Sequence, residues 1–331
     1  MMLRLVLPIL LCVLGGTALG QPRLHQEPPP AITVPSPALY PEGIEFNPLS
    51  NEFLLGSIRR GAVVSVAMSG AVRPFVEDQR LRSVVGIRVD APRGRLLVLN
   101  SDYAVAERSA QGESFATAAL AVYDLRTGAP LQFIDLSAVR PRERRFVNDL
   151  AVDADGNAYI TDSLAAAILR VTPAGDASVF LTHERFRGDG FNLNGIQVHP
   201  DGFLLVVKKS DGTLFRVPLA DPAGFVEVQI PERITGTDGL VLLGPHDLVA
   251  IANRTATVAA NRLFRLHSED GWRSARIAQT LPISDTYMST GIVHDGRVFA
   301  VHGWLHVLPE TLRAGGALRD QFLIQEIGRS R

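Results

Sequence analysis

The chain has 331 residues, 46% of them hydrophobic and 20% charged, with a formal net charge of −1. That composition supplies a large apolar core and excludes a disordered chain, and near-neutrality gives no basis for binding nucleic acid or an anionic membrane surface. The single cysteine, Cys12, leaves no disulfide within the chain, and the only lysines among 33 basic residues, Lys208 and Lys209, read as compositional bias.

Residues 1–20 combine Arg4, an apolar run from Leu5 to Leu14 and the small-residue exit Ala18-Leu19-Gly20, the three parts of a secretory signal peptide. The run is short for a membrane span. The expectation is cleavage near Gly20 and export, periplasmic or secreted, with no transmembrane segment after signal removal. A lipid anchor at Cys12 fits poorly between Leu11 and Val13. Residues 21–38 carry Pro22, Pro28, Pro29, Pro30, Pro35 and Pro37 and predict an extended N-terminal arm. Within it, Ala31-Ile32-Thr33-Val34 is a candidate strand for the last of the repeats that follow.

Residues 39–331 are organised around one repeat. Its clearest copy, residues 147–163, places two strand-like runs around the turn Asp155-Gly156-Asn157. The opening recurs six times, centred on Gly43, Gly86, Asp149, Gly195, Gly239 and Gly291, with separations of 43, 63, 46, 44 and 52 residues. Short strands and turns repeating every 40–50 residues or so are the signature of β-propeller blades. The prediction is an all-β, six-bladed propeller whose blades open near Tyr40, Val84, Val147, Leu193, Thr237 and Ser289. Blade two carries an insertion at residues 103–117, placed as a lid over the mouth of the channel. The charged run 140–145 reads as a solvated linker, and Asp153 to Asn157 as a plain hairpin turn rather than a calcium loop. The last strands of blade six are the least clear; Gln321 to Gln325 is the candidate return.

The first strand of each blade lines the channel, so the residue before each repeated centre points toward one axis. Those residues are Glu42, Val85, Asn148, Asn194, Asp238 and Thr290. Carboxylates and amides converging from rigid strands suit a hard cation, which would also let two carboxylates share the site. The competing reading is that these side chains cap turns between blades. Asn100, Asp102, Asp162, Asn253 and His302 follow second strands on the same face and are further candidates for lining the mouth. No zinc spacing, nucleophile elbow or phosphate loop is present.

With Pro41-Glu42-Gly43, Val147-Asn148-Asp149, Leu193-Asn194-Gly195-Ile196 and Thr237-Asp238-Gly239-Leu240, the chain resembles the regucalcin, gluconolactonase and luciferin-regenerating enzyme family over about residues 38–310. The resemblance implies one axial divalent metal, commonly calcium, held by Glu42, Asn194 and Asp238. It further implies a substrate contact at Asn148, Asp238 as general base, and hydrolysis of a lactone or related ester. The chain departs from that pattern at Phe146, where sugar-lactone members often carry arginine, which favours a less polar small-molecule substrate; specificity then lies in Phe146, residues 103–117 and the other loops of that face, and Asp149 is a further site candidate. Phe146 to Leu150 and Ala158 to Ser163 are also similar to the yellow and royal-jelly proteins. That second resemblance implies a non-catalytic ligand-binding propeller.

Overall fold

The computed structural model describes residues 21–109, 115–140 and 143–330. The signal-peptide reading of residues 1–20 lies outside them, as does part of the 103–117 insertion. Six antiparallel sheets are arranged in order around an axis, as the repeat predicts. Their inner strands are Pro41–Asn47, Ser83–Asp90, Val147–Val152, Leu193–His199, Thr237–Leu242 and Met288–His294. Each inner strand pairs with a second strand: Glu52–Ser57, Arg95–Ser101, Ala158–Asp162, Phe203–Lys208, Asp247–Arg254 and Arg297–His302, respectively.

Burial follows this order. Arg95–Ser101 and Phe203–Lys208 are buried at every residue because neighbouring blades cover both faces of the sheet. Outer strands such as Ala177–Thr182 face solvent and are mostly polar or half-exposed. The apolar core is therefore a set of clusters between blades, such as Phe186, Phe215, Leu204 and Tyr159 between blades three and four.

Blade six closes the ring. Its third strand, Gln321–Arg329, pairs with Arg297–His302 on one side and with two N-terminal strands, Arg23–Leu24 and Ile32–Pro35, on the other. The candidate closing strand is thus found where it was placed, in a five-stranded sheet that joins the two ends of the chain by hydrogen bonds. The only α-helix among the described residues, Leu308–Arg313, lies within this blade. No helix among the described residues is long and apolar enough to cross a membrane.

The repeated tripeptide has a structural cause. Every inner strand slips register at it: pairing breaks between Pro41 and Ile44, Val84 and Ile87, Val147 and Leu150, Leu193 and Ile196, Thr237 and Leu240, and Met288 and Gly291. Such a bulge places two residues opposite one and re-aims the side chain at the strand's axial end. The glycine after it lets adjacent inner strands touch: a Cβ on Gly43, Gly86 or Gly195 would lie 2.6 Å from the carbonyl oxygen of Val85, Asn148 or Asp238 in the next blade. Blade three has Asp149 there instead, and its carboxylate accepts the N–H of Ile196 from blade four at 3.2 Å.

The bulges also correct the register of blade six. Its pairing makes Ser289, not Thr290, the counterpart of Glu42, and Thr290 occupies the glycine's place. The glycine comes one residue late there, which shifted the sequence alignment. The linker reading of residues 140–145 is corrected too. Arg145 is buried, and its guanidinium donates to the carbonyls of Ser137, Arg140 and Glu143, while Arg140 donates to Ala165. The turn at Asp153 holds as read: its carboxylate takes hydrogen bonds from the Asn157 backbone, the Asn157 amide and the Tyr159 hydroxyl.

Candidate functional site

The bulges bring Glu42, Asn148, Asn194 and Asp238 to the same end of the channel. Asp238 is the most heavily engaged. Its Oδ1 accepts from the Asn194 amide at 2.6 Å, and its Oδ2 from the Asn253 amide at 2.5 Å. Oδ1 also lies 2.9 Å from the Lys209 ammonium, and both side chains are 5% exposed. Lys209 Nζ in turn donates to Asn253 Oδ1 at 2.6 Å and to the Tyr287 hydroxyl at 3.3 Å, and stands 5.1 Å from the centre of the Tyr287 ring. Carboxylate, ammonium and two amides form one buried network.

Lys209 is the residue that the sequence reading missed. The last pair before each bulge is Ser57, Asn100, Asp162, Lys208, Ala252 or His302 with its inner strand, so the next residue is Ile58, Ser101, Ser163, Lys209, Asn253 or Gly303. The polar members of that ring stitch each blade to the following one. Ser101 donates to Val147 O, Ser163 to Leu193 O and Asn253 to Met288 O, at 2.9, 2.6 and 3.0 Å. Lys209 does the same with a charge, reaching Asp238 across the blade boundary. A cation at a position held in the other blades by neutral residues, two serines, an asparagine, an isoleucine and a glycine, was the available signal.

Glu42 lies in the enclosed channel with part of its surface open to it. Burial first, and then the charges of Asp238 and Asp149, push its carboxyl well above the usual range, against the pull of Lys209. Burial likewise raises Asp149, opposed by Arg88 and by the N–H groups of Leu150 and Ile196. Asn148 donates to Ser163 Oγ at 2.9 Å, and its buried Oδ1 has no partner among the described residues. This is the condition of an acceptor kept for a ligand or water.

The other candidates divide into scaffold and mouth. Asn100 accepts the Arg82 N–H at 2.7 Å, and Asp162 Oδ1 accepts the N–H groups of Phe146, Leu164 and Ala165. Both therefore fold loops rather than face the channel. Asp102 Oδ1 holds Ala104 N and Ser109 Oγ within the insertion. His302 is buried and bonds through Nδ1 to Thr286 Oγ1 at 2.5 Å; burial lowers its pKa to about 4, so the ring is neutral at pH 7, and its Nε2 is unpartnered.

The insertion does reach the mouth. Tyr103 and Phe115 from it pack with Phe146 and Phe191, all six ring pairs having centroids 5.0–6.2 Å apart at steep angles. Such edge-to-face contacts are the favoured aromatic geometry. Arg144 lies over the Phe115 ring at 4.6 Å. Burial first, then the charges of Asp238 and Glu42, and last Tyr103, push the Tyr287 hydroxyl well above its usual range. The insertion is anchored by Arg108, which donates to the carbonyls of Leu81, Arg60 and Gly61.

The royal-jelly family model, "Major royal jelly protein", matches residues 82–211. That span contains Tyr103, Phe115, Phe146, Asn148, Phe191 and Lys209. No curated protein matches the chain significantly. Among solved structures, the Malassezia sympodialis allergen Mala s 1 is 18% identical, with TM-score 0.70 over 90% of this chain and 96% of that one. A gluconolactonase from Xanthomonas campestris is 14% identical, with TM-score 0.60 over 93% and 95%. The calcium-binding protein regucalcin from Agrobacterium tumefaciens is 18% identical, with TM-score 0.60 over 89% and 93%. At these identities the likeness establishes the six-bladed fold.

The residues present do not fit the divalent metal implied by the lactonase resemblance. Glu42, Asn194 and Asp238 are the right donor types, but Asp238 already carries an ammonium, and both of its oxygens accept amide hydrogens. A dication on the same carboxylate would meet Lys209 at close range in a poorly screened interior. Among the described residues, no three His, Cys, Asp or Glu side chains are grouped to hold a metal.

Proposed function

We propose that the chain is a small-molecule-binding propeller of the royal-jelly kind, receiving its ligand at the mouth of the channel. The observation that carries this reading is the Lys209–Asp238 pair, which ties up the carboxylate that hydrolysis would use as metal ligand and base. The four-ring cluster supplies an apolar wall, and Asn148 Oδ1 and the Glu42 carboxyl supply polar groups at the same end of the channel. Few polar groups against a largely apolar wall is the usual make-up of a small-molecule site. The family match over residues 82–211 supports the same reading, because it spans the wall and Lys209 together.

Metal-dependent hydrolysis of a lactone or ester is the competing reading. It is favoured by the convergence of Glu42, Asn148, Asn194 and Asp238, and it requires Lys209 to leave Asp238. A thermal-shift screen of largely apolar small molecules, run beside a lactone and ester panel with calcium and with chelator, separates the two. The proposal expects stabilising ligands whose binding is indifferent to chelator. Calcium-dependent turnover that disappears in Asp238→Asn would establish the hydrolase instead.

A further inference from the structure

We propose that Lys209 is the resident cation of the axial site: its ammonium does the charge-balancing work of a dication, and its removal uncovers a latent calcium site on Glu42, Asn194, Asp238 and Asn253. The inference rests on the same Lys209–Asp238 pair as the proposed function, but not on which small molecule the mouth takes.

A carboxylate 5% exposed at the centre of a propeller needs a positive partner, because an isolated buried charge costs several kcal/mol or more. Lys209 provides one at 2.9 Å, and that ammonium is held by Asn253 and Tyr287 as well, so all three of its hydrogens have acceptors. Lysine suits the place as a compact point charge on a flexible stem; a planar arginine fork would not fit three acceptors arranged around one nitrogen. This chain uses arginine for every other basic residue except Lys208. Lys208 bonds Asp211 at 3.0 Å within its own turn and takes no part in the network.

Position supplies the second line of argument. Lys209 stands in the ring where other blades have Ser101, Ser163 or Asn253, so replacement by serine keeps the register of the fold. With the ammonium gone, Asp238 loses its counter-charge while Glu42, the Asn194 amide and the Asn253 amide stay on their rigid strands. Oxygen donors from carboxylates and amides around such a vacancy are the chemistry of a calcium site, water completing the shell.

Metal analysis and melting curves, each in calcium and in chelator, test this on the wild-type chain, Lys209→Ser and Lys209→Ser/Asp238→Ala. The wild type should purify without stoichiometric calcium and melt at the same temperature in both buffers. Lys209→Ser should melt lower in chelator and recover about 5 °C at a hundredfold excess of calcium over its Kd. The double variant should ignore calcium. Should Lys209→Ser fold in neither buffer, Lys209→Asn, which copies Asn253, takes its place in the comparison. Calcium bound to the wild type, or a Lys209→Ser or Lys209→Asn variant that folds and does not respond to calcium, overturns the proposal.

Discussion

The two sides of the axial ring differ in how far their polar groups are satisfied. On blades four and five, Asn194, Lys209, Asp238 and Asn253 answer one another, both charges paired and both amide nitrogens engaged. On blades one and three, Glu42 has no ion-pair partner among the described residues and is partly exposed, and Asn148, two residues along from Phe146 of the aromatic cluster, keeps a bare acceptor. Saturated polar networks rigidify, whereas an unmet acceptor is retained at a cost that stability alone does not explain. On the proposed function, the closed side holds the ring together and the open side meets the ligand.

The strongest test of that division is to break the closed side. Asp238→Asn leaves Lys209 buried without its counter-charge and should lower unfolding free energy by about 3–5 kcal/mol, read from urea titrations. Lys209→Met/Asp238→Asn should regain much of that loss, because the uncompensated charge is gone. Equal instability of single and double variants would mean that packing, not charge, holds this side.

A somewhat smaller effect is expected from pH at the rim. His302 has a folded pKa of about 4, depressed by burial, against roughly 6.5 when unfolded. The unfolded chain therefore binds the proton first, and stability should fall as pH drops from about 6.5 to 4, by on the order of 3 kcal/mol from this group. His302→Gln should flatten that part of the stability curve; an unchanged slope would show that the ring is accessible to protons in the native state.

Changes on the open side should touch affinity more than stability. Asn148→Ala removes the bare acceptor and one hydrogen bond to Ser163, so a loss near 1 kcal/mol in stability is expected, with about a tenfold loss in affinity for any ligand found by screening. Phe191→Ala, at a half-buried ring of the wall, should weaken the same ligand by several-fold while calcium and chelator remain without effect. Isothermal titration with the screened ligand checks both. A large stability loss in Asn148→Ala without a change in affinity would make the two sides alike.

The fold was legible in the sequence because one local device, a bulge in the inner strand, recurs in all six blades and carries glycine in four of them. Five inner strands were placed in the correct register on that basis. Blade six slipped by one residue because Thr290 stands where Gly43, Gly86, Gly195 and Gly239 stand in other blades. The convergence of Glu42, Asn148, Asn194 and Asp238 was legible for the same reason. Lys209 and Tyr287 were not, because their partner Asp238 lies in another part of the chain and only the closed ring brings them together. The aromatic wall was half legible: Phe146 and the insertion were marked, whereas Phe191 has no repeat position to announce it.

One measurement addresses the central claim directly. Because Lys208 and Lys209 are the only lysines, a chain labelled with ¹⁵N-lysine has just two side-chain ammonium groups to follow by NMR. Lys208 sits in an Asp211 turn and Lys209 on Asp238, so Asp238→Asn should move one resonance and assign it. If Lys209 is the cation of the axial site, that resonance stays in place when excess calcium is added to the wild-type chain. A stoichiometric shift or loss of the Lys209 signal on adding calcium would show that the metal displaces it, and would contradict the account.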